Sequence, residues 1–155
     1  ISQSQGFASQ TRGVQVAGAT PGSSTNSMQF VTISTLGNAA DFGDATTVRS
    51  DFGGCSNAVR GVWGGGSDPN NVNSIEYITI ATLGNALDFG DRSVTNTTIK
   101  ACSSSTRGVW GGGAPNGGVM DYIQIMSTGN AVDFGDMTSR DELGAACSNG
   151  HGGLG

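Results

Sequence analysis

Phe30-Val-Thr-Ile-Ser-Thr-Leu-Gly-Asn-Ala-Ala-Asp-Phe-Gly-Asp44 returns as Tyr77-Ile-Thr-Ile-Ala-Thr-Leu-Gly-Asn-Ala-Leu-Asp-Phe-Gly-Asp91, and again as Tyr122-Ile-Gln-Ile-Met-Ser-Thr-Gly-Asn-Ala-Val-Asp-Phe-Gly-Asp136. A second block trails each copy. It reads Cys55-Ser-Asn-Ala-Val-Arg-Gly-Val-Trp-Gly-Gly-Gly66, then Cys102-Ser-Ser-Ser-Thr-Arg-Gly-Val-Trp-Gly-Gly-Gly113, then Cys147-Ser-Asn-Gly-His-Gly-Gly-Leu-Gly155. A worn version, Ser9-Gln-Thr-Arg-Gly-Val-Gln-Val-Ala-Gly18, opens the chain. Arg60 follows Arg12 by 48 residues, Arg107 follows Arg60 by 47, Asp88 follows Asp41 by 47 and Asp133 follows Asp88 by 45.

A period of 45 to 48 residues is the length of a propeller blade and exceeds most helical repeats. Within a unit, Tyr77, Thr79 and Ala81 alternate with Ile78, Ile80 and Thr82, the period of a strand. Gly84-Asn85 reads as a turn, since both residues tolerate positive φ. Leu87 to Phe89 should form a short outer strand, and Ala101 to Ser104 and Arg107 to Gly111 two inner ones. Sustained 3.6-residue spacing is missing, so almost no helix is expected. The expected fold is all-β: about three four-stranded propeller blades in a single repeat domain spanning 1–155, with units at about 8–54, 55–101 and 102–146 and a partial unit at 147–155. Propellers typically close with four to eight blades. Three units fall short of that, so the expectation is that several chains share one ring or that these residues belong to a longer protein.

Composition narrows the function. Glycine supplies 27 of 155 residues, about 17% against a usual 7%, which suits short strands and many tight turns. The formal net charge is −5 and Lys100 is the one lysine, so the chain lacks the clustered cations that a nucleic acid or an anionic membrane surface requires. No run approaches 18 apolar residues, so no membrane insertion is expected. The first residue is Ile1 rather than Met and no signal-peptide pattern follows it, which reads as a processed, trimmed or partial chain.

Several patterns invite a chemical reading. The pairs Asp41/Asp44, Asp88/Asp91 and Asp133/Asp136 could face a cation, but calcium loops are denser in acidic ligands, and turn capping is the plainer role. Asp-Phe-Gly occurs in kinases, yet the Gly-rich loop and strand lysine of kinases are missing. The runs Gly64-Gly66 and Gly111-Gly113 lack the Lys-Ser or Lys-Thr of a phosphate loop. Arg12, Arg60 and Arg107 could grip a carboxylate, although bonds to carbonyls or an Asp of the neighbouring unit are the expected use. Cys55, Cys102 and Cys147 stand at equivalent positions, too far apart in a radial array for a disulfide, and are expected to be buried free thiols. With no Cys-x-x-Cys pair and one histidine, His151, neither zinc binding nor Cys-His or Ser-His-Asp catalysis is expected. The units differ at Thr20 to Ser27, Ser67 to Val72 and Ala114 to Val119, which carry all three prolines, and binding is expected there. Asp68, Asn70 and Asn116 in these stretches are candidate ligand contacts. Trp63 and Trp110 could stack on sugar rings, with packing between units as the alternative.

The unit resembles a kelch-type blade, in which a Gly-Gly pair ends one inner strand, an aromatic residue opens the next, and an Arg and a second aromatic recur. The matching residues are Val109-Trp110-Gly111-Gly112, Tyr122, Phe134 and Arg140, and before them Val62-Trp63-Gly64-Gly65, Tyr77 and Phe89. The string Ile-Thr-Ile-x-Thr-x-Gly-Asn-Ala-x-Asp-Phe-Gly-Asp, followed by Cys-Ser-x-x-Thr-Arg-Gly-Val-x-x-Gly-Gly, is similar to repeats in tail-fibre and other virion proteins of bacteriophages, cyanophages among them. The likeness covers roughly 8–155. It implies a non-catalytic structural or receptor-binding module on an extracellular virion, with no cofactor and no metal. Its implied partners are further blades or copies of itself, other virion proteins and a host surface glycan. A secreted or cell-surface carbohydrate-binding propeller of bacterial origin is the alternative, and an enzyme fragment a third. The chain lacks the second histidine that copper radical oxidases need and the Ser-x-Asp-x-Gly-x-x-Trp box of sialidases.

Overall fold

The computed structural model describes residues 4–20, 23–139 and 145–148. Among them every regular element is a strand. The first sheet joins β1 (Gln5–Ala8), β2 (Arg12–Thr20), β3 (Ser23–Thr32) and β4 (Ala40–Asp44). Next come β5 (Gly53–Ser56), β6 (Arg60–Gly64), the small hairpin β7 (Ser67–Asp68) and β8 (Asn70–Asn71), β9 (Ser74–Thr79) and β10 (Leu87–Asp91). Here β5-β6-β9-β10 form the second sheet. The third is β11 (Lys100–Ser103), β12 (Arg107–Gly111), β13 (Val119–Gln124) and β14 (Val132–Asp136). Each sheet is an antiparallel meander in chain order. Strands stand at Leu87, Ala101 and Arg107 as expected, and β9 begins earlier, at Ser74.

The hairpin between the first two strands of every sheet closes on a side-chain oxygen. Ser9 Oγ accepts the Arg12 N–H at 3.1 Å, Asn57 Oδ1 that of Arg60 at 2.8 Å, and Ser104 Oγ that of Arg107 at 3.1 Å. Serine and asparagine thus serve one turn interchangeably, because each places an acceptor within reach of the same backbone donor.

The three sheets stack face to face. Period-2 alternation sends Trp63 and Ile78 toward the first sheet, where they join Phe7, Val14, Val16, Met28 and Phe42 in one core. Val62 and Ile75 point the other way, into a second core with Cys55, Phe89, Trp110, Ile123 and Ile125. The central sheet is covered on both faces.

Register explains the Asp-Phe-Gly triplet. Met28 pairs with Gly43 and Gln29 with Asp41, so Phe42 is the extra residue of a β-bulge. Phe89 and Phe134 are extra in the same way, between Asp88 and Gly90 and between Asp133 and Gly135. The bulge turns each phenylalanine edge-on to the aromatic ring of the adjacent strand: Phe30 at 6.1 Å, Tyr77 at 5.8 Å and Tyr122 at 5.9 Å. Gly43, Gly90 and Gly135 follow at φ of 139°, 141° and 128°.

The turn of each following sheet clamps onto this bulge. Gly84 N–H donates to Phe42 O at 2.9 Å and Ala86 N–H to Asp44 O at 2.8 Å; Gly129 and Ala131 repeat this on Phe89 and Asp91 at 2.7 and 2.8 Å. A Cβ on Gly90 would lie 2.5 Å from the Gly129 carbonyl oxygen, whereas one on Gly135 would meet nothing within 4 Å. Alanine at either position meets a φ that L residues avoid, costing about 1 kcal/mol. Gly90→Ala must also push two backbones apart, so it should cost about 3 kcal/mol or more against about 1 for Gly135→Ala. Urea denaturation of the two variants measures the difference, and equal losses would refute the clamp.

Candidate functional site

The repeated residues are absorbed by contacts between sheets. Arg12, Arg60 and Arg107 lie over the rings of Phe30, Tyr77 and Tyr122, 4.6, 4.4 and 4.5 Å from the centroids. Arg12 Nη1 reaches on to donate to Ile80 O at 2.9 Å, and Arg60 Nη1 to Ile125 O at 3.1 Å, each a carbonyl of the next sheet. The expected bond to a neighbouring carbonyl is thereby seen for two of the three arginines. Asn85 has a role its turn assignment did not suggest. Positive φ falls on Gly84 and not on Asn85, whose Oδ1 accepts the Asp44 N–H at 3.0 Å. Asn130 does the same for Asp91 at 3.0 Å. Asp44 and Asp91 are thus engaged through their backbone atoms in the seams, and Asp133 Oδ1 accepts the Gly135 N–H at 3.1 Å as an ordinary turn cap.

Trp63 and Trp110 are both 0% exposed. The Trp63 ring stacks on Phe7 at 5.9 Å, and Trp110 Nε1 donates to Gly53 O at 2.9 Å. Packing between units takes both rings, which leaves neither face open to a sugar. The cysteines are free but unequally covered, correcting the expectation of three buried thiols. Cys55 is sealed by Gly108 of the third sheet, Cys102 is half-buried, and Cys147 is exposed. Burial follows from whether a further sheet lies over the thiol. Desolvation, with Cys102 nearby, pushes Cys55 up to about 12, and Cys102 is raised by the same cause in smaller measure.

Two buried ion pairs had no counterpart in the sequence reading. Arg49, in the loop before β5, donates to the Glu76 carboxylate and, through Nη1, to Ser74 O at 2.9 Å and Gly65 O at 3.1 Å. Arg92 Nε meets Asp121 Oδ1 at 3.0 Å, and Asp121 Oδ2 accepts the Ser93 N–H at 3.0 Å. Burial lowers Arg49 to about 10 against the pull of Asp68, and lowers Arg92 against that of Asp121. Glu76 and Asp121 are repeat equivalents, each preceding the shared tyrosine. Their arginines come from different points of the connecting loops, which hides the pairing from a repeat alignment.

Some of the exposed polar groups stand on the loops that follow the glycines after β6 and β12. The residue pairs Gly65/Gly66 and Gly112/Gly113 turn the chain at φ of 68°, 96°, 74° and 88°. They launch the β7-β8 hairpin and the 114–118 loop, and Asn71 Nδ2 ties the two together through Ala114 O at 3.2 Å. Asp68 and Asn70 stand exposed on the hairpin and Asn116 on the loop, its N–H donating to Asn96 Oδ1 at 2.9 Å. Asn96, fully buried, braces that loop through Gly112 O and Asn116 O. One carboxylate and two amides on braced loops offer acceptors and donors to a hydroxyl-rich ligand. Arg140 and His151 lie outside the described residues. Among the described residues no group of three metal-ligating side chains converges, and no helix is long and apolar enough to cross a membrane.

Removing a partner from a buried pair strands the other charge. Asp121→Asn should cost about 3 kcal/mol, read from the denaturation midpoint. The thiols should separate by rate with a disulfide reagent at pH 8: Cys147 first, Cys102 slower, and Cys55 only on unfolding. An ordinary cysteine ionises near 9.0, so the stability Cys55 contributes is whole below that pH and falls as pH rises toward about 12. Cys55→Ala should flatten that part of the alkaline decline, and an unchanged slope would contradict it. Comparison with known proteins finds no matching family model and no curated protein that matches the chain.

Proposed function

We infer that the three sheets are blades of a kelch-like propeller acting as a non-catalytic structural or receptor-binding module, of the kind the repeat resemblance implies for bacteriophage virions and tail fibres. Support for blades comes from the inner strands. β1 and β11 both neighbour β5, while β4, β10 and β14 form the opposite edges.

One observation carries the functional reading. In the two seams between the sheets the residues shared by the units (Arg, Phe, Asn, Gly) are occupied in holding sheets together, whereas the residues that differ lie on the loops at one end. That division suits a rigid body displaying variable tips, several of which would meet a receptor surface at once. Polar tips without a basic patch fit a neutral hydroxyl-rich surface such as a host glycan.

The test is binding of the fluorescently labelled chain to bacterial cells and to a glycan array. The triple variant Asp68→Ala/Asn70→Ala/Asn116→Ala should lose at least about ten-fold in affinity while its circular dichroism still reports the folded chain. Undiminished binding by the variant would move recognition off these loops. Co-purification with phage particles favours the virion role. Glycan binding by the purified chain with no particle association favours the secreted or cell-surface lectin.

A further inference from the structure

The two end faces of the stack carry the unmatched halves of the contacts repeated inside it. Phe42 and Phe89 are 2% exposed under the turn of the following sheet, while Phe134 is 48% exposed. Ile80 and Ile125 are 0% exposed against the preceding sheet, while Ile33 is 57% exposed. Polar groups tell the same story. The N–H groups of Asp44 and Asp91 donate to an asparagine oxygen of the next sheet, and the Phe and Asp carbonyls beside them accept from its Gly and Ala N–H groups. Asp136 is the repeat equivalent on the third sheet, and Gly37-Asn38-Ala39 is the equivalent turn on the first. Arg107, an exposed residue, likewise stacks on Tyr122, at the position from which Arg12 and Arg60 reach the carbonyls of Ile80 and Ile125. The corresponding carbonyl is that of Ile33.

We propose that these faces bind each other between two copies of this chain, the first sheet of one copy seating on the third sheet of the other. This interface continues the two already formed within the chain, with the same bulge, turn and arginine contacts at a third level. Gly37 and Ala39 supply N–H donors to Phe134 O and Asp136 O, Asn38 caps the Asp136 N–H, and Arg107 reaches Ile33 O. Gly135, with open space where its Cβ would be, receives the turn as Gly90 does. Residues 145–148 cross the third sheet's face, exposed throughout, with Ser148 Oγ accepting the Ser103 N–H at 2.8 Å. They stand beside β11 as β11 stands beside β5, where Ser103 Oγ donates to Ser56 O at 2.9 Å. The arriving β1 takes that place, and the segment is displaced. The contact is head to tail, so the two surfaces involved are different ones.

Native mass spectrometry and sedimentation of the 155-residue chain, 15.5 kDa as a monomer, test this directly at about 100 µM, where an interface of this kind should be populated. Assembly is expected. Ile33→Asp and Phe134→Asp each spoil one face at an already exposed position, so both should fold, with unchanged circular dichroism, and weaken self-association by about 100-fold. Mixed together, they should form a one-to-one heterodimer, because each retains the face the other has lost. Ser148→Ala, which loosens the displaced segment, should tighten assembly. A wild-type chain that stays monomeric overturns the proposal and leaves a further repeat as the occupant of these faces. Single variants that still assemble, or a mixture that does not pair, overturn the head-to-tail arrangement.

Discussion

The contact on which the stack depends is backbone against backbone, where the Gly129 carbonyl lies in the space that a side chain on Gly90 would fill. A sheet ends in an outer strand with unpaired N–H and C=O groups, which ordinarily invite another strand. Here the Gly-Asn-Ala turn of the next sheet satisfies three of them at once, through two N–H donors and the asparagine oxygen. The bulge makes this geometry available, since it frees the phenylalanine from the ladder and bends the strand toward its neighbour. The middle Gly-Asn-Ala-x-Asp-Phe-Gly-Asp stretch therefore carries both halves of the joint: its turn grips the sheet before it, and its bulge is gripped by the sheet after.

Hydrophobic burial supplies the bulk stabilisation, with Trp63, Trp110, Phe42, Phe89 and several isoleucines removed from water between sheets. Apolar faces alone would let sheets slide along one another. The arginine carbonyl bonds and the asparagine caps resist sliding, because each needs a particular atom opposite. The buried Arg49–Glu76 and Arg92–Asp121 pairs act elsewhere, anchoring the loops that carry the chain from an outer strand to the next inner one. Bringing two charges out of water costs about as much as their attraction returns. Their value here is in fixing where the connecting loops lie, which in turn sets the spacing of successive sheets.

Much of this was legible because the chain repeats itself. The period, the four strands per unit and the arginine's attachment to the neighbouring unit all followed from aligning three copies. The Asp-Phe-Gly bulge was hidden, since a bulge is a relation between two strands and one strand's alternation does not reveal it. Asn85 looked like a turn former for the same reason; its partner, the Asp44 N–H, is 41 residues away. The ion pairs escaped because Arg49 and Arg92 are not repeat equivalents even though Glu76 and Asp121 are. The cysteines show the limit most sharply. Three equivalent positions have three degrees of burial, because cover comes from the following unit and the sequence of the position itself says nothing of it.

That dependence on the following unit decides which residues are free to vary. A substitution at a seam residue must fit the partner surface of the next sheet, so Gly, Asn, Phe and Arg are tied to one another across the repeat. The 67–71 and 114–118 segments are tied mainly to their own braces, Asn96 and Asn71, and to the glycine pairs that launch them. They can change length and chemistry without disturbing the stack, and they have done so: the first sheet extends β2 and β3 as one long hairpin where the second carries β7-β8 and the third a short loop. Positive-φ glycines serve both regimes, Gly43 and Gly90 in the seam and Gly65/Gly66 and Gly112/Gly113 where the loops begin. The fold thus separates a constrained seam from a permissive rim.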